Sequence, residues 1–192
     1  MYKLFLTTAA LATSMIATNT MAATETYDFD KVHTNLLMEV DHLGFTNMVL
    51  KAKDYEGTYS FDTEDFSKSK VNMVFQAAGV TGDFEPLDEH LQGPDFFNVE
   101  KFPTITYNST SAKKTGEKTF DVQGDVTILG ITKPLTLNVT FNKVGANPFS
   151  GKDESGFNAT ATLKRSDFGI VYALPLVGDE VKFNIFVEGV KQ

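Results

Sequence analysis

Apolar and polar residues alternate with a period of two through most of the chain from Tyr27 onward. A period of two places successive side chains on opposite faces of an extended strand, so that one face is buried. About eight such runs, with no helix-length periodicity between them, predict an all-β protein built as an antiparallel sandwich or barrel. The runs cover residues 36–42, 55–61, 71–75, 105–107, 122–128, 135–141, 157–163 and 181–187.

Turn residues separate these runs, notably Lys114 to Glu117 and Leu129-Gly130. Two segments interrupt the alternation. We expect a helical turn in Gly44 to Lys53, and an irregular segment, rich in proline, from Phe84 to Phe102. No internal repeat or linker is visible, which predicts one domain over residues 23–192. A barrel of about eight strands is just wide enough to be filled by side chains or to hold one small ligand.

The first residues have the pattern of a secretory signal peptide. Lys3 supplies a positive charge, an apolar stretch follows from Leu4 to about Thr18, and the small residues Ala22 and Ala23 end the segment. We therefore expect cleavage after Ala22, with residues 1–22 as the signal peptide and an exported, soluble domain after it.

Charge and composition exclude several classes of function. The formal net charge is −8, which argues against a nucleic-acid partner, because phosphate contacts need a basic face. The chain has no cysteine, which excludes a disulfide scaffold and a thiol nucleophile. Neither a phosphate-binding glycine loop nor a G-x-S-x-G elbow is present.

The three histidines are His33, His42 and His90. His33 and His42 are nine residues apart, so one continuous strand would point them to opposite faces. This geometry is poor for a metal, and we predict no metal site. Asp88, Glu89 and Asp95 surround His90 in the sequence. Such carboxylates can form an acid–base pair with a histidine, but a solvated loop is favoured, and no catalytic residue is predicted.

Aromatic residues are abundant, with 17 Phe and six Tyr. An ordinary aromatic core explains most of them. Phe84, Phe96 and Phe97, however, lie in the irregular segment rather than in a strand. An apolar tunnel beneath a loop lid is the sharper interpretation, since ligand sites are concave and lined by apolar and aromatic side chains.

Several segments, taken in order, resemble the YceI-like family of exported polyisoprenoid-binding proteins. The segments are 33–44, 55–62, 88–91 with 95–97, 101–107, 124–134 (GDVTILGITKP), 156–157, 164–169 and 177–181. The resemblance implies an extended, eight-stranded, antiparallel lipocalin-like barrel in a periplasmic or secreted protein. It also implies a long isoprenoid ligand, such as a quinone-type or polyprenyl lipid, and no other cofactor.

The sequence departs from the family pattern near Asp88. The family usually has arginine where this chain has Pro86 and Leu87, and often a basic residue where it has Gln92-Gly93. A buried pyrophosphate needs bidentate arginine partners. We therefore predict a neutral head group, unless Lys133, Lys152 or Arg165 reaches the mouth of the barrel.

These observations predict a non-enzymatic carrier or reservoir for an isoprenoid lipid, with no nucleic-acid partner. The expected head-group contacts are His33 and His90. Alternatives are a quinone-delivery accessory that docks to a membrane oxidoreductase, and a hydrolase acting through Asp88 and His90. Transient membrane contact and a homodimer stay open. The predicted tunnel residues are Met38, Val40, His42, Tyr55, Tyr59, Phe61, Phe75, Ile105, Tyr107 and Phe168, and the predicted lid residues are His90, Leu91, Phe96 and Phe97.

Overall fold

A computed structural model of the chain describes residues 24–192. The predicted signal peptide and the domain boundary at residue 23 lie outside the described residues and stay predictions. No helix in this part of the chain is long and apolar enough to cross a membrane.

The described residues form eleven β-strands, one α-helix and three short 3₁₀ helices. The helix, α1, spans Glu85–Gln92, between the sixth and seventh strands. The strands are β1 (Glu25–Phe29), β2 (Asn35–His42), β3 (Thr46–Ala52), β4 (Tyr55–Phe61), β5 (Lys70–Gln76), β6 (Val80–Thr81), β7 (Thr104–Lys114), β8 (Thr119–Ile128), β9 (Ile131–Ala146), β10 (Asp153–Lys164) and β11 (Val177–Lys191).

The eleven strands close into an antiparallel barrel with eight strand positions. Three of these positions are each occupied by two short strands in succession, and the other five by one strand each. β1 and β2 both pair with β11, and the break between them covers residues 30–34. β3 pairs with β2 while β4 pairs with β1, and β6 pairs with β3 while β5 pairs with β4. The predicted all-β, eight-stranded barrel is therefore confirmed.

Alternation explains which side of each strand is buried. In β10, Phe157, Ala159 and Ala161 are buried, whereas the intervening Asn158 and Thr160 are exposed. The inward residues bring their apolar surface out of water, and burial contributes roughly 25 cal/mol per Å² of apolar area. The long strands β7 to β11 thus follow directly from the period-two pattern.

One end of the barrel is closed by packed aromatic rings. The ring of Phe61 lies with its centroid 5.4 Å from Phe66, 5.0 Å from Phe141 and 4.9 Å from Phe157. Phe66 belongs to a 3₁₀ turn that follows β4 and is itself buried. At the opposite end lie α1, the β2–β3 turn and the loop that follows Phe168; we call this end the mouth.

Two local predictions are wrong. Gly44 to Lys53 is not a helical turn but a turn followed by β3, whose Met48, Leu50 and Ala52 point inward. The helix lies instead in Phe84 to Phe102, the segment predicted to be irregular. Pro86 occupies its first turn, where backbone N–H groups have no partner within the helix. The N–H that proline lacks therefore costs no intrahelical hydrogen bond.

Candidate ligand-binding cavity

An apolar cavity of about 380 Å³ occupies the barrel interior. This volume falls within the range of roughly 300–1,000 Å³ that is typical of small-molecule sites. All but one of the predicted tunnel and lid residues line it: Met38, Val40, His42, Tyr59, Phe61, Phe75, His90, Leu91, Phe96, Phe97, Ile105, Tyr107 and Phe168.

Many lining residues were not predicted individually. Most of them lie at inward-facing positions of strands that the alternation already predicted. The same pattern identifies them once the inward face of each strand is known. These residues are Met73, Val122, Val126, Ile128, Leu135, Leu137, Val139, Phe157, Ala159, Leu163, Val181, Phe183, Ile185 and Val187. Ile170, Tyr172 and Ala173 come from the loop after Phe168 and Val177 from the first position of β11, for which alternation gave no signal.

Tyr55 is a correction to the prediction, because it is buried but does not line the cavity. Its hydroxyl donates a hydrogen bond of 3.2 Å to the backbone carbonyl of Thr34. Thr34 lies in the break between β1 and β2, where the ladder is interrupted. Tyr55 therefore packs within the barrel wall beside that break, where it stabilises the wall and does not contact the cavity.

His33 is a second correction, because it lies outside the cavity and its side chain is 59% exposed. Its Nδ1 is 3.0 Å from Oδ2 of Asp30 and 3.8 Å from Oε1 of Glu188. The hydrogen bond with Asp30, together with both negative charges, raises the pKa of His33. This location excludes a contact between His33 and a head group inside the barrel.

The same three side chains place potential metal ligands close together, a cluster that the sequence analysis did not predict. One ligand atom from each of Asp30, His33 and Glu188 lies within 4.8 Å of the others. Nδ1 of His33 is already paired with Asp30, whose Oδ1 accepts hydrogen bonds from the backbone N–H groups of Val32 and His33. These hydrogen bonds stabilise the turn in the break between β1 and β2.

His90 lies at the mouth, between two aromatic rings. Its ring centroid is 4.9 Å from that of Phe96 and 5.0 Å from that of Tyr172, both edge-on. Its Nε2 lies 3.5 Å from Oδ2 of Asp95. His42 also lines the cavity at this end. The structure thus replaces the predicted pair His33 and His90 with His42 and His90 as the histidines that face the cavity.

Asp88 does not pair with His90. Its Oδ1 accepts a 2.7 Å hydrogen bond from the backbone N–H of Gly82, and its Oδ2 accepts one from the hydroxyl of Thr81. Both partners lie at or next to β6, so Asp88 fastens α1 to the barrel wall. The acid–base pair considered for a hydrolase is not formed by these two side chains.

The phenol groups in the cavity wall already have hydrogen-bond partners. The hydroxyl of Tyr107 donates to the backbone carbonyl of Val122 at 3.0 Å. The hydroxyl of Tyr59 lies 2.8 Å from Oγ of Ser155. Burial raises the pKa of both phenols, so they are neutral at physiological pH. They therefore present aromatic surface, rather than charge, to the interior.

Arg165 lines the cavity, but backbone carbonyls occupy its guanidinium. Nε donates to Gly178 at 2.8 Å, Nη1 to Ile170 at 3.1 Å and Nη2 to Val177 at 2.9 Å. These three contacts tie the loop at the mouth to the start of β11. Among the described lining residues the other cation is Lys70, while Lys133 and Lys152 do not line the cavity.

Comparison with known proteins gives consistent matches over most of the chain. The family model of the YceI-like domain matches residues 27–189. A UPF0312 protein of Pseudomonas putida is 38% identical over 184 residues, which is 95% of each chain.

Two solved structures share the fold. Burkholderia cenocepacia BcnA superposes with a TM-score of 0.76 at 20% identity, over 84% of this chain and 99% of the other. A polyisoprenoid-binding domain from Saccharophagus degradans superposes with a TM-score of 0.63 at 9% identity, over 88% of this chain and all of the other. At these identities, the likeness establishes the fold alone.

Proposed function

The chain belongs to the YceI-like family, and on that premise we propose that it is a carrier or reservoir for a long-chain isoprenoid lipid. The observation that carries the proposal is the cavity inside the barrel, whose lining is almost wholly aliphatic and aromatic. Burial of each methylene group contributes roughly 0.8 kcal/mol, so a long hydrocarbon tail binds there without strong polar contacts. The shared fold with a protein described as a polyisoprenoid-binding domain supports this choice of ligand class.

The mechanism is sequestration. The tail leaves water for the barrel interior, and the segment that carries His90, Leu91, Phe96 and Phe97 covers it at the mouth. No chemical step is part of this mechanism. The protein acts without catalysis, and the N-terminal segment directs it to the periplasm.

We infer that the head group is neutral, as in a quinone or a prenol. An anionic pyrophosphate withdrawn from water needs charge-assisted hydrogen bonds, best supplied by arginine. The guanidinium of Arg165 is held by three carbonyls, and the family's usual arginine positions are Pro86 and Leu87 in this chain. The imidazoles of His42 and His90 supply hydrogen bonds at the mouth, which suit a carbonyl or hydroxyl oxygen.

The test is native mass spectrometry of the protein purified from its own host, followed by solvent extraction of any bound lipid. A near-stoichiometric isoprenoid supports the proposal, and its mass separates a neutral head group from a phosphorylated one. The apo protein is then offered a quinone and the polyprenyl pyrophosphate of matching chain length. We expect tighter quinone binding, whereas the reverse order contradicts the neutral head group.

A cavity-blocking variant provides the matched control. Ala159→Phe places a ring in the cavity midway along β10, whereas Thr160→Phe adds the same ring on the outer face of the same strand. We expect Ala159→Phe to lose lipid uptake and Thr160→Phe to retain it, with circular dichroism confirming that both fold. Absence of uptake by the wild-type protein overturns the carrier proposal.

A further inference from the structure

Two loops at the mouth expose a group of apolar side chains. Leu43 and Phe45 lie in the β2–β3 turn and are 46% and 87% exposed. Val171, Tyr172 and Leu176 lie in the loop before β11 and are 58%, 46% and 65% exposed. The backbone N–H of Leu43 donates to the carbonyl of Leu176 at 3.0 Å, which joins the two loops. We call these five residues the mouth patch.

The mouth patch is continuous with the entrance of the cavity. His42 precedes Leu43 and lines the cavity, as do Ile170 and Ala173 on either side of Val171 and Tyr172. Tyr172 belongs to both surfaces, because it lines the cavity and is also exposed. The segments that carry the mouth patch therefore place some side chains in the cavity lining and expose the neighbouring apolar side chains to solvent.

The sequence of these loops contains no Asp, Glu, Lys or Arg. Residues 43–45 read LGF and residues 169–176 read GIVYALPL, in a chain of which 22% of residues are charged. Asp41 in β2 borders the first loop, and its Oδ1 accepts a hydrogen bond from the backbone N–H of Gly44. Exposed apolar patches mark surfaces that meet another apolar phase, either a protein or a membrane. A bilayer strongly disfavours charged side chains and favours tyrosine at its interface. The two uncharged loops, with Tyr172 at the cavity entrance, therefore fit a bilayer.

We propose that the mouth patch inserts into the outer part of a lipid bilayer, so that the cavity opens directly onto the membrane lipids. This inference rests on the proposed function, because a carrier of a bilayer lipid must load and unload its tail without exposing it to water. The net charge of −8 gives no attraction to anionic lipids. Docking therefore proceeds by insertion of apolar side chains and does not require anionic lipid.

The experiment measures co-sedimentation with phosphatidylcholine vesicles, with and without phosphatidylglycerol. The variant is Phe45→Ser, which removes the most exposed side chain of the mouth patch. The matched control is Phe149→Ser, because Phe149 is 98% exposed in the loop between β9 and β10, at the opposite end of the barrel. Both rings are largely solvated, so neither change is expected to disturb the fold.

We expect the wild-type protein and Phe149→Ser to bind zwitterionic vesicles equally, with little dependence on salt. Phe45→Ser reduces the bound fraction roughly tenfold, as the loss of one membrane-inserted aromatic ring predicts. An equal loss in both variants, binding that requires phosphatidylglycerol, or no binding by the wild-type protein overturns the proposal.

Quinone uptake from dispersed lipid, without vesicles, separates this inference from the proposed function. Uptake without vesicle binding overturns the membrane docking and leaves the carrier in place. Vesicle binding without uptake overturns the carrier, and with it the physical reason for docking, which is transfer of the tail between bilayer and barrel.

Discussion

At the residue scale, Arg165 shows how a buried charge acquires a structural role. The residue is 5% exposed, and its guanidinium donates to the carbonyls of Ile170, Val177 and Gly178. These carbonyls lie in or next to the loop that carries part of the mouth patch. Burial lowers the pKa of Arg165, yet an arginine remains charged at any physiological pH. The charge therefore holds the loop rather than a phosphate.

Replacement of Arg165 is expected to destabilise the fold. Arg165→Met leaves three carbonyls without a donor, and a hydrogen bond to a charged group is worth roughly 1.5–3 kcal/mol. We expect the free energy of unfolding to fall by about 2–4 kcal/mol in total, since the loop relaxes in part. Urea denaturation at neutral pH measures it. The neighbouring exposed Lys164→Met is the control, and equal losses in both variants contradict the prediction.

His33 predicts a pH dependence of stability that is independent of the ligand. The pKa of His33 is raised by its hydrogen bond with Asp30, so folding favours the protonated imidazole. Its contribution is fully present below the unfolded pKa of about 6.5 and is lost as the pH rises through the raised folded pKa. His33→Gln should therefore cost more stability at about pH 5.5 than at about pH 8.5. Denaturation of both proteins at the two pH values tests this, and an equal cost at both contradicts it.

At the scale of elements, the local sequence predicted the strands correctly where apolar and polar residues alternate regularly. It failed to predict β3, where neighbouring apolar residues hide the alternation. In β3, the inward residues Met48 and Leu50 flank Val49, which is apolar but points outward and is 49% exposed. Three consecutive apolar residues do not show a period of two. Pairing with β2, where Met48 opposes Val40, decides the conformation of this segment. Pairing with β2 thus determined that this segment is a strand, which the residue pattern alone did not indicate.

The attachment of α1 leads to a prediction about ligand exchange. Asp88→Asn weakens the acceptor contacts to Thr81 and Gly82, which hold α1 on the wall. A loss of about 1–1.5 kcal/mol increases local opening roughly tenfold. We expect faster amide hydrogen exchange in residues 85–92 and a similarly faster quinone dissociation rate. Glu89→Gln, on the same helix, is the control, and an equal effect there would mean that helix charge, not the Asp88 contacts, sets the exchange rate.

At the scale of the whole molecule, the barrel keeps an apolar cavity that its own side chains do not fill. Atoms that line a void lack contacts on one side, and a ligand that fills it restores them. A ligand at 100 times its Kd stabilises the folded state by about 2.7 kcal/mol. For a protein of this size, each kcal/mol raises Tm by roughly 2–4 °C. We expect an increase in Tm of about 5–11 °C with quinone, measured by calorimetry.

The control for this increase is Ala159→Phe, whose added ring occupies the cavity. Its Tm should respond to quinone far less than that of the wild-type protein. A full increase in the variant would place the ligand outside the barrel.

The alternation alone predicted an antiparallel sandwich or barrel and the inward residues of its regular strands, because the side to which a strand residue points is a local property with a period of two. The choice of an eight-stranded barrel came from the resemblance to the YceI-like family. The odd spacing of His33 and His42 carried no information about the sides to which they point, because His33 lies in the break before β2 and the two residues do not share one strand. The absence of arginine at Pro86 and Leu87 was visible only by comparison with the family pattern.

Tertiary structure decided everything that depends on which distant segments meet. The break between β1 and β2 placed Tyr55 in the wall and His33 on the outer surface. Closure of the barrel, through the pairing of β11 with β2, brought Leu43 beside Leu176. These contacts join residues far apart in the chain, and the register of the closed sheet, rather than any local propensity, determines them.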